Sequence, residues 1–288
     1  MKLLTWNISL PEECGGSDEQ GPAEVTAYVL DWSADGPPKA RPAVIICPGG
    51  GYGHLSSREG EPVAMEYLSM GYHVFILRYS VAPARFPTAL RQLALLTAQI
   101  REHSREWSVN PKKIVVSGFS AGGHLACSLG VFWNRSFVYG PLGRAPEAVK
   151  PDGMILSYPV ITSGPLCHQG SFENLLGEEA SDQEKRKQVS LEEQAGPHTP
   201  PAVLWHTVAD DAVPVENSIL FARALMRHGV SVECHLFPVG CHGLSLANGD
   251  TAAGKYYMVE PWGQSGIWGA GAWLNNLYRI LKPLPRSA

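Results

Sequence analysis

Residues 118–123 read Gly-Phe-Ser-Ala-Gly-Gly and follow the largely apolar run Lys113-Ile114-Val115-Val116-Ser117. A Gly-x-Ser-x-Gly that closes a strand and opens a helix leaves the backbone few paths. The turn is tight enough to force the serine into strained angles, with its hydroxyl held up at the end of a parallel sheet. A side chain in place of either flanking glycine would collide with the neighbouring strand or helix. Because the chain holds 30 glycines in 288 residues, the bare pattern carries little weight alone. Its weight comes from the strand before it, the helix after it and three further elements in a fixed order.

From about residue 40 the pattern alternates strand and helix. Strands are predicted at 43–47, 73–79, 113–118, 153–159, 202–208 and 230–237. Helices are predicted at 62–70, 87–103, 122–132, 216–228 and 266–281. The second of these carries an apolar stripe at Leu90, Leu93, Ala94, Leu96, Thr97 and Ile100. Such alternation argues for an α/β fold, a mainly parallel central sheet with helices on both faces, in a single domain over 1–288. Residues 25–32 read as an antiparallel edge strand. Residues 161–201 break the rhythm and are too long for a structureless loop, so they are expected to form short helices capping the site. The charged run at 182–187 within them reads as a solvated helix face.

Composition narrows the partners. With 44% hydrophobic and 17% charged residues, a net charge of −4 and a pI near 6.2, the chain has no basic footprint for nucleic acid. No apolar run is long enough for a membrane span, and the N-terminus lacks the apolar core of a signal peptide. A cytoplasmic location is therefore expected. Six scattered cysteines, with no Cys-x-x-Cys pair, indicate neither a disulfide framework nor a metal site. Cys47, Cys127 and Cys234 read as small buried hydrophobes. A homo-oligomer remains open.

A serine hydroxyl needs a base within hydrogen-bond reach, and the base needs an acid to fix its tautomer. In sheets of this type the chain order is serine, acid, histidine. After Ser120 come a strand running into Asp210-Asp211 and another running into His242, each polar group just past a strand's C-terminal end. Asp210 is the expected acid, with Asp211 capping a helix or orienting the loop. His206 and His124 read as structural and His235 as a sheet-face residue. At the end of an early strand, Pro48-Gly49-Gly50-Gly51-Tyr52 can bring backbone N–H groups close to a developing oxyanion. Gly50, Gly51 and Ala121 are the candidate donors. Tyr52 and His54 follow the glycines and can reach substrate; for His54 a plain loop role stands equally. Trp262 and Trp268, with Tyr256 and Tyr257, offer either a sugar-stacking wall or ordinary packing.

These stretches together resemble the α/β-hydrolase family, and within it bacterial acetyl-xylan and feruloyl-type carbohydrate esterases related to the hormone-sensitive-lipase group. The resemblance is carried by 47–52, 77–83, 116–126, 205–218 and 240–244. It implies Ser120 as nucleophile, Asp210 as acid, His242 as base, and Gly50, Gly51 and Ala121 as oxyanion donors. Proline precedes the glycines where the lipase-like relatives carry histidine, and residues 248–266 match no family pattern. The function implied is a serine ester hydrolase without a cofactor, taking short acyl groups, acetyl above all, from a small-molecule ester such as an acetylated oligosaccharide. A small-molecule amidase or formamidase, or a broad short-chain lipase or esterase, would use the same groups. A non-catalytic binding protein of this fold would typically lack the acid or the histidine.

Overall fold

In the central strands, neighbouring residues divide between the two faces of one sheet: Ile45 packs on one side, Val44 and Ile46 on the other. The computed structural model describes residues 1–11, 14, 22–31 and 40–280. Among these, the strands are β1 (Lys2–Ile8), β2 (Ala23–Val29), β3 (Arg41–Cys47), β4 (His73–Arg78), β5 (Val109–Phe119), β6 (Gly153–Ser157), β7 (Ala202–Thr207) and β8 (Val232–Phe237). Their order in space is β1-β2-β4-β3-β5-β6-β7-β8. β3 to β8 run parallel, so their C-terminal ends share one edge, while β1 and β2 are antiparallel additions.

The helices are α1 (Glu61–Ser69), α2 (Thr88–Glu102), α3 (Ala121–Phe132), the single turns α4 (Ser136–Tyr139) and α5 (Pro146–Val149), then α6 (Gln169–Leu176), α7 (Gln183–Gln188), α8 (Leu191–Gln194), α9 (Glu216–Arg227) and α10 (Pro261–Ile280). Residues of α1 and α10 pack on one face of the sheet, and those of α2, α3 and α9 on the other. Helix α3 is buried on every side, which explains why it shows no polar stripe. The segment 161–201 contains α6, α7 and α8. Asp182 caps α7 by accepting from the Glu184 and Lys185 N–H groups; Glu184 and Lys187 of the charged run face solvent, while Arg186 turns inward to the Ala180 and Ser163 carbonyls.

Several expectations need correction. The predicted edge strand at 25–32 is not at the edge, because β1 pairs along its whole length from Lys2–Val29 to Ile8–Ala23. In β1, Leu4, Trp6 and Ile8 turn toward the protein and alternate with exposed Thr5 and Asn7, a half-buried pattern weaker than the apolar runs of the parallel strands. Trp32 lies outside the described residues. Strand β5 begins at Val109 rather than Lys113, with a register irregularity opposite Arg41–Ala43 that accommodates Pro111. Helix α10 begins at Pro261, five residues early, since proline is well suited to a first turn; its expected end at Leu281 is outside the described residues. Cys47 and Cys127 are buried, whereas Cys234 is exposed on the outer strand β8.

The turn from β5 into α3 is held by close backbone approach. A methyl group on Gly122 would stand 2.1 Å from the carbonyl oxygen of Cys47 in β3 and 2.4 Å from that of Pro48. Neither backbone atom can swing aside as a side chain could. Gly122→Ala is therefore expected to cost about 2–3 kcal/mol of stability, read as a lowered urea midpoint. An unchanged midpoint would contradict this packing.

Candidate active site

Ser120 sits between β5 and α3 with φ 52° and ψ −120°, a region that costs a non-glycine residue about 1–3 kcal/mol. The surroundings fix it: its N–H donates to the Ser157 carbonyl, and its own carbonyl accepts from the His124 and Val160 N–H groups. Its hydroxyl oxygen is thereby brought 2.8 Å from Nε2 of His242. On the other side of that imidazole, Nδ1 lies 2.7 Å from Oδ2 of Asp210. A carboxylate facing Nδ1 keeps the proton there and leaves the Nε2 lone pair for the serine. Three side chains distant in sequence thus form one hydrogen-bonded row above the C-terminal ends of β5, β7 and β8.

Asp210 is the most tightly held of the three, its side chain fully buried. Oδ1 accepts from the Ala212 and Val213 N–H groups at 3.0 and 2.8 Å. Oδ2 takes His242 and also Nε2 of His206 at 3.2 Å. The same nitrogen of His206 faces the Val213 carbonyl at 3.0 Å, and two acceptors mark it as the protonated one. Nδ1 of His206 is then an acceptor for the Ser218 hydroxyl at 2.8 Å. Burial alone would raise the Asp210 carboxyl. The hydrogen bonds from His206 and His242, the His242 charge and the Ala212 N–H outweigh it and hold the group well below the usual carboxylate range. His206 is thus more than a space-filler, and its signal in the sequence is a polar residue in the middle of an apolar strand end.

Asp211 orients the loop. It is exposed, and its Oδ1 accepts the His242 backbone N–H at 3.0 Å. Neither aspartate caps α9, whose N-terminus has no side-chain cap. Thr207 adds a second tie, its hydroxyl donating to the Gly240 carbonyl at 2.8 Å. Beneath the imidazole, the ring of Tyr158 meets His242 nearly edge-on, with centroids 5.2 Å apart.

A cleft of about 420 Å³ opens over the row, and Gly50, Gly51, His54, Arg58, Ser120 and His168 are among its lining residues. Gly50 has φ 131°, and a methyl group there would fall 2.1 Å from the His54 carbonyl oxygen, so the turn admits only glycine. Asn174 of α6 donates to the Gly51 carbonyl at 2.9 Å and fastens the glycine turn to the 161–201 segment. Ala121 is the first residue of α3, where an N–H has no partner within the helix. His168, also from that segment, accepts the Ser171 N–H at Nδ1, which places its proton on Nε2. Burial first, then the His242 charge, lower its pKa against the opposing effect of Asp210. His168, Asn174, Arg58 and Glu59 were not singled out from the sequence, since each lies in a stretch without a motif.

Two predicted substrate contacts are not in the cleft. Tyr52 is buried, and its hydroxyl meets Nδ1 of His124 at 2.8 Å. The other nitrogen of His124 donates to the Val189 carbonyl, and burial pulls that histidine down to about 4. Tyr52 therefore packs beneath the glycine turn as a support. Trp262 is 57% exposed and outside the cleft lining, as are Tyr256 and Tyr257, so these rings build no wall beside Ser120. The side chain of Trp268 lies outside what is described. His54 does line the cleft.

The chain is similar to known proteins in both sequence and fold. The BD-FAE family model matches residues 34–225. Endo-1,4-beta-xylanase B of Butyrivibrio fibrisolvens is 38% identical over 228 residues, covering 76% of this chain and 36% of that protein. An acetylxylan esterase of Xylanibacter ruminicola is 30% identical, covering 71% of this chain and 41% of that protein. The chain thus spans less than half the length of these two relatives. Among solved structures, an acetyl ester-xyloside bifunctional hydrolase from Caldicellulosiruptor lactoaceticus is similar at TM-score 0.77 and 35% identity over 90% of both chains. A carboxylesterase from Lactobacillus plantarum is similar at TM-score 0.81 and 28% identity, covering 96% of this chain and 98% of that one. The sheet, the turn at Ser120 and these likenesses define an α/β hydrolase. Within that class the chain belongs to the BD-FAE family.

The two aspartates make different demands on a replacement. Asp210→Asn would present an amide NH₂ to one of the donors crowded round that carboxylate, and is expected to lower kcat for any turnover that passes through Ser120 on the order of 10⁴-fold. Asp211→Asn keeps an oxygen for the His242 N–H and is expected to stay within roughly tenfold of the parent. Steady-state rates of the two variants decide the matter, and the reverse ranking would overturn the assignment of Asp210.

Proposed function

We propose that the protein is a serine carboxylic ester hydrolase that removes short acyl groups, acetyl above all, from sugars or xylo-oligosaccharides. The observation that carries this is the row Ser120–His242–Asp210, joined at 2.8 and 2.7 Å and opening into a cleft lined largely by glycines and polar side chains. The chain's similarity to an acetylxylan esterase and to an acetyl ester-xyloside bifunctional hydrolase supports the same chemistry.

In this mechanism Ser120 Oγ attacks the acyl carbon as Nε2 of His242 takes its proton. Asp210 holds the imidazole in the reactive tautomer and stabilises the imidazolium that forms. The carbonyl oxygen becomes negative and is met by the N–H groups of Gly50, Gly51 and Ala121, the last with the positive end of the α3 dipole behind it. The proton on His242 then passes to the departing alcohol. Water, deprotonated by the same imidazole, attacks the acyl-serine, and the proton passes from His242 to Ser120 Oγ as the acid leaves.

Two properties of the cleft favour a small acyl group on a hydroxylated alcohol. Glycines close to Ser120 leave a narrow place beside the nucleophile. His54, His168 and Asn174 offer hydrogen bonds to an alcohol rich in hydroxyls, where a lipase with long acyl chains would need an apolar channel. The segment 161–201 acts as a cap on a single domain, supplying His168 and Asn174 to one wall.

A panel of p-nitrophenyl esters of increasing chain length, run beside acetylated xylo-oligosaccharides, tests the reading. The expected result is kcat/KM highest for acetate and falling at least tenfold by octanoate, with acetate released from the oligosaccharides. Ser120→Ala should leave only the residual rate of binding and oxyanion contacts. A preference for long chains, or for matched amides over esters, would contradict the proposal.

A further inference from the structure

Glu59 is a buried carboxylate that the row above does not use. It ends a short turn before α1, is only 2% exposed, and has no ion-pair partner among the described residues. Its Oε2 accepts the Gly49 N–H at 2.7 Å, and its Oε1 accepts the Tyr158 hydroxyl at 2.7 Å. That hydroxyl in turn accepts the Ser245 N–H at 2.8 Å. One side chain thus ties together the loops that follow β3, β6 and β8.

The attachment points matter more than their number. Gly49 immediately precedes the glycines that face the cleft, and a methyl group on it would stand 2.8 Å from the Glu59 oxygen and 2.9 Å from Ser120 Cβ. Tyr158 carries the ring that meets the His242 imidazole, and it is held at a positive φ of 37°. Burying a carboxylate with neutral donors alone is unfavourable, and an apolar or amide side chain would fill the space at less cost. A group with two acceptor oxygens is needed only if both donors must be aimed at once.

We propose that Glu59 is a positioning residue that sets the oxyanion glycines and the base histidine in register with Ser120, acting through the Gly49 amide on one side and Tyr158 on the other. This rests on the ester-hydrolase reading. Glu59→Gln keeps the shape and an oxygen for the Gly49 N–H, but turns its NH₂ toward the Tyr158 hydroxyl, which then has no carboxylate to donate to, so that arm of the brace loosens. Tyr158→Phe releases only the arm toward His242.

The test measures kcat and KM on p-nitrophenyl acetate for the parent, Glu59→Gln, Tyr158→Phe and the double variant. It adds the affinity for a phenylboronic acid, which becomes a tetrahedral anion on the serine. For Glu59→Gln, kcat is expected to fall roughly 10–100-fold with KM within about twofold, and boronate affinity to fall with kcat/KM. The double variant should be little worse than Glu59→Gln, because both act through one connection. A side chain that merely held the fold would lower the melting temperature without moving boronate affinity in step with kcat/KM. Should Glu59→Gln fail to fold, Tyr158→Phe carries the test, with a smaller loss in kcat and the same split. Unchanged kcat, a loss confined to KM, or boronate affinity equal to the parent's would overturn the proposal while leaving the ester-hydrolase reading intact. Absence of ester turnover by the parent protein would remove both.

Discussion

The contact between the Asp210 carboxylate and the two histidines beside it joins the turn after β7 to the loop after β8 and, through His242, to the serine turn after β5. Four donors converge on that carboxylate: two backbone N–H groups of its own turn, His206 from the strand below and His242 from the next loop. The buried group is therefore charged, which a carboxylate in an apolar pocket would resist. Its charge fixes the proton of His242 on the far nitrogen and frees the near one for Ser120. Parallel strands make this possible, since loops that leave β5, β7 and β8 at one edge of the sheet need only short paths to meet.

Backbone geometry supplies the other half of the site. Ser120 is held in an unfavourable conformation by strand-to-helix packing close enough to exclude even a methyl group at Gly122. The glycine turn at 49–51 is held from below by Tyr52 and Glu59 and from the side by Asn174. A turn rich in glycine gains close approach to a ligand at the cost of stiffness, and these side chains restore the stiffness from outside the turn. The 161–201 segment accordingly has two connections to the site, one through the wall of the cleft and one through the backbone it pins.

Much of this was legible in the chain. The strand, tight turn and helix around Ser120 were set by local sequence, and the apolar runs of the parallel strands are strong because both faces are covered. Asp210 and His242 could be placed because the ends of parallel strands coincide. Other features depend on contacts that no local pattern encodes. Strand β1 shows alternation over only a few residues, and only its pairing with β2 makes it a strand. Glu59, His168 and Asn174 lie in motif-free segments and acquire meaning from groups on other loops. Tyr52 was misplaced because following the glycines in sequence does not decide which way a ring turns; its positive φ directs it into the core toward His124. Trp262 was misplaced because α10 begins earlier than its sequence suggested and leaves that ring in solvent.

The central claim is that one serine, among the many in this chain, is made nucleophilic by its position. Treatment with a fluorophosphonate followed by peptide mass mapping tests it directly. The account requires a stoichiometric adduct on Ser120, with labelling lost when His242 is replaced by alanine. An adduct on a different residue, or undiminished labelling without His242, would contradict it.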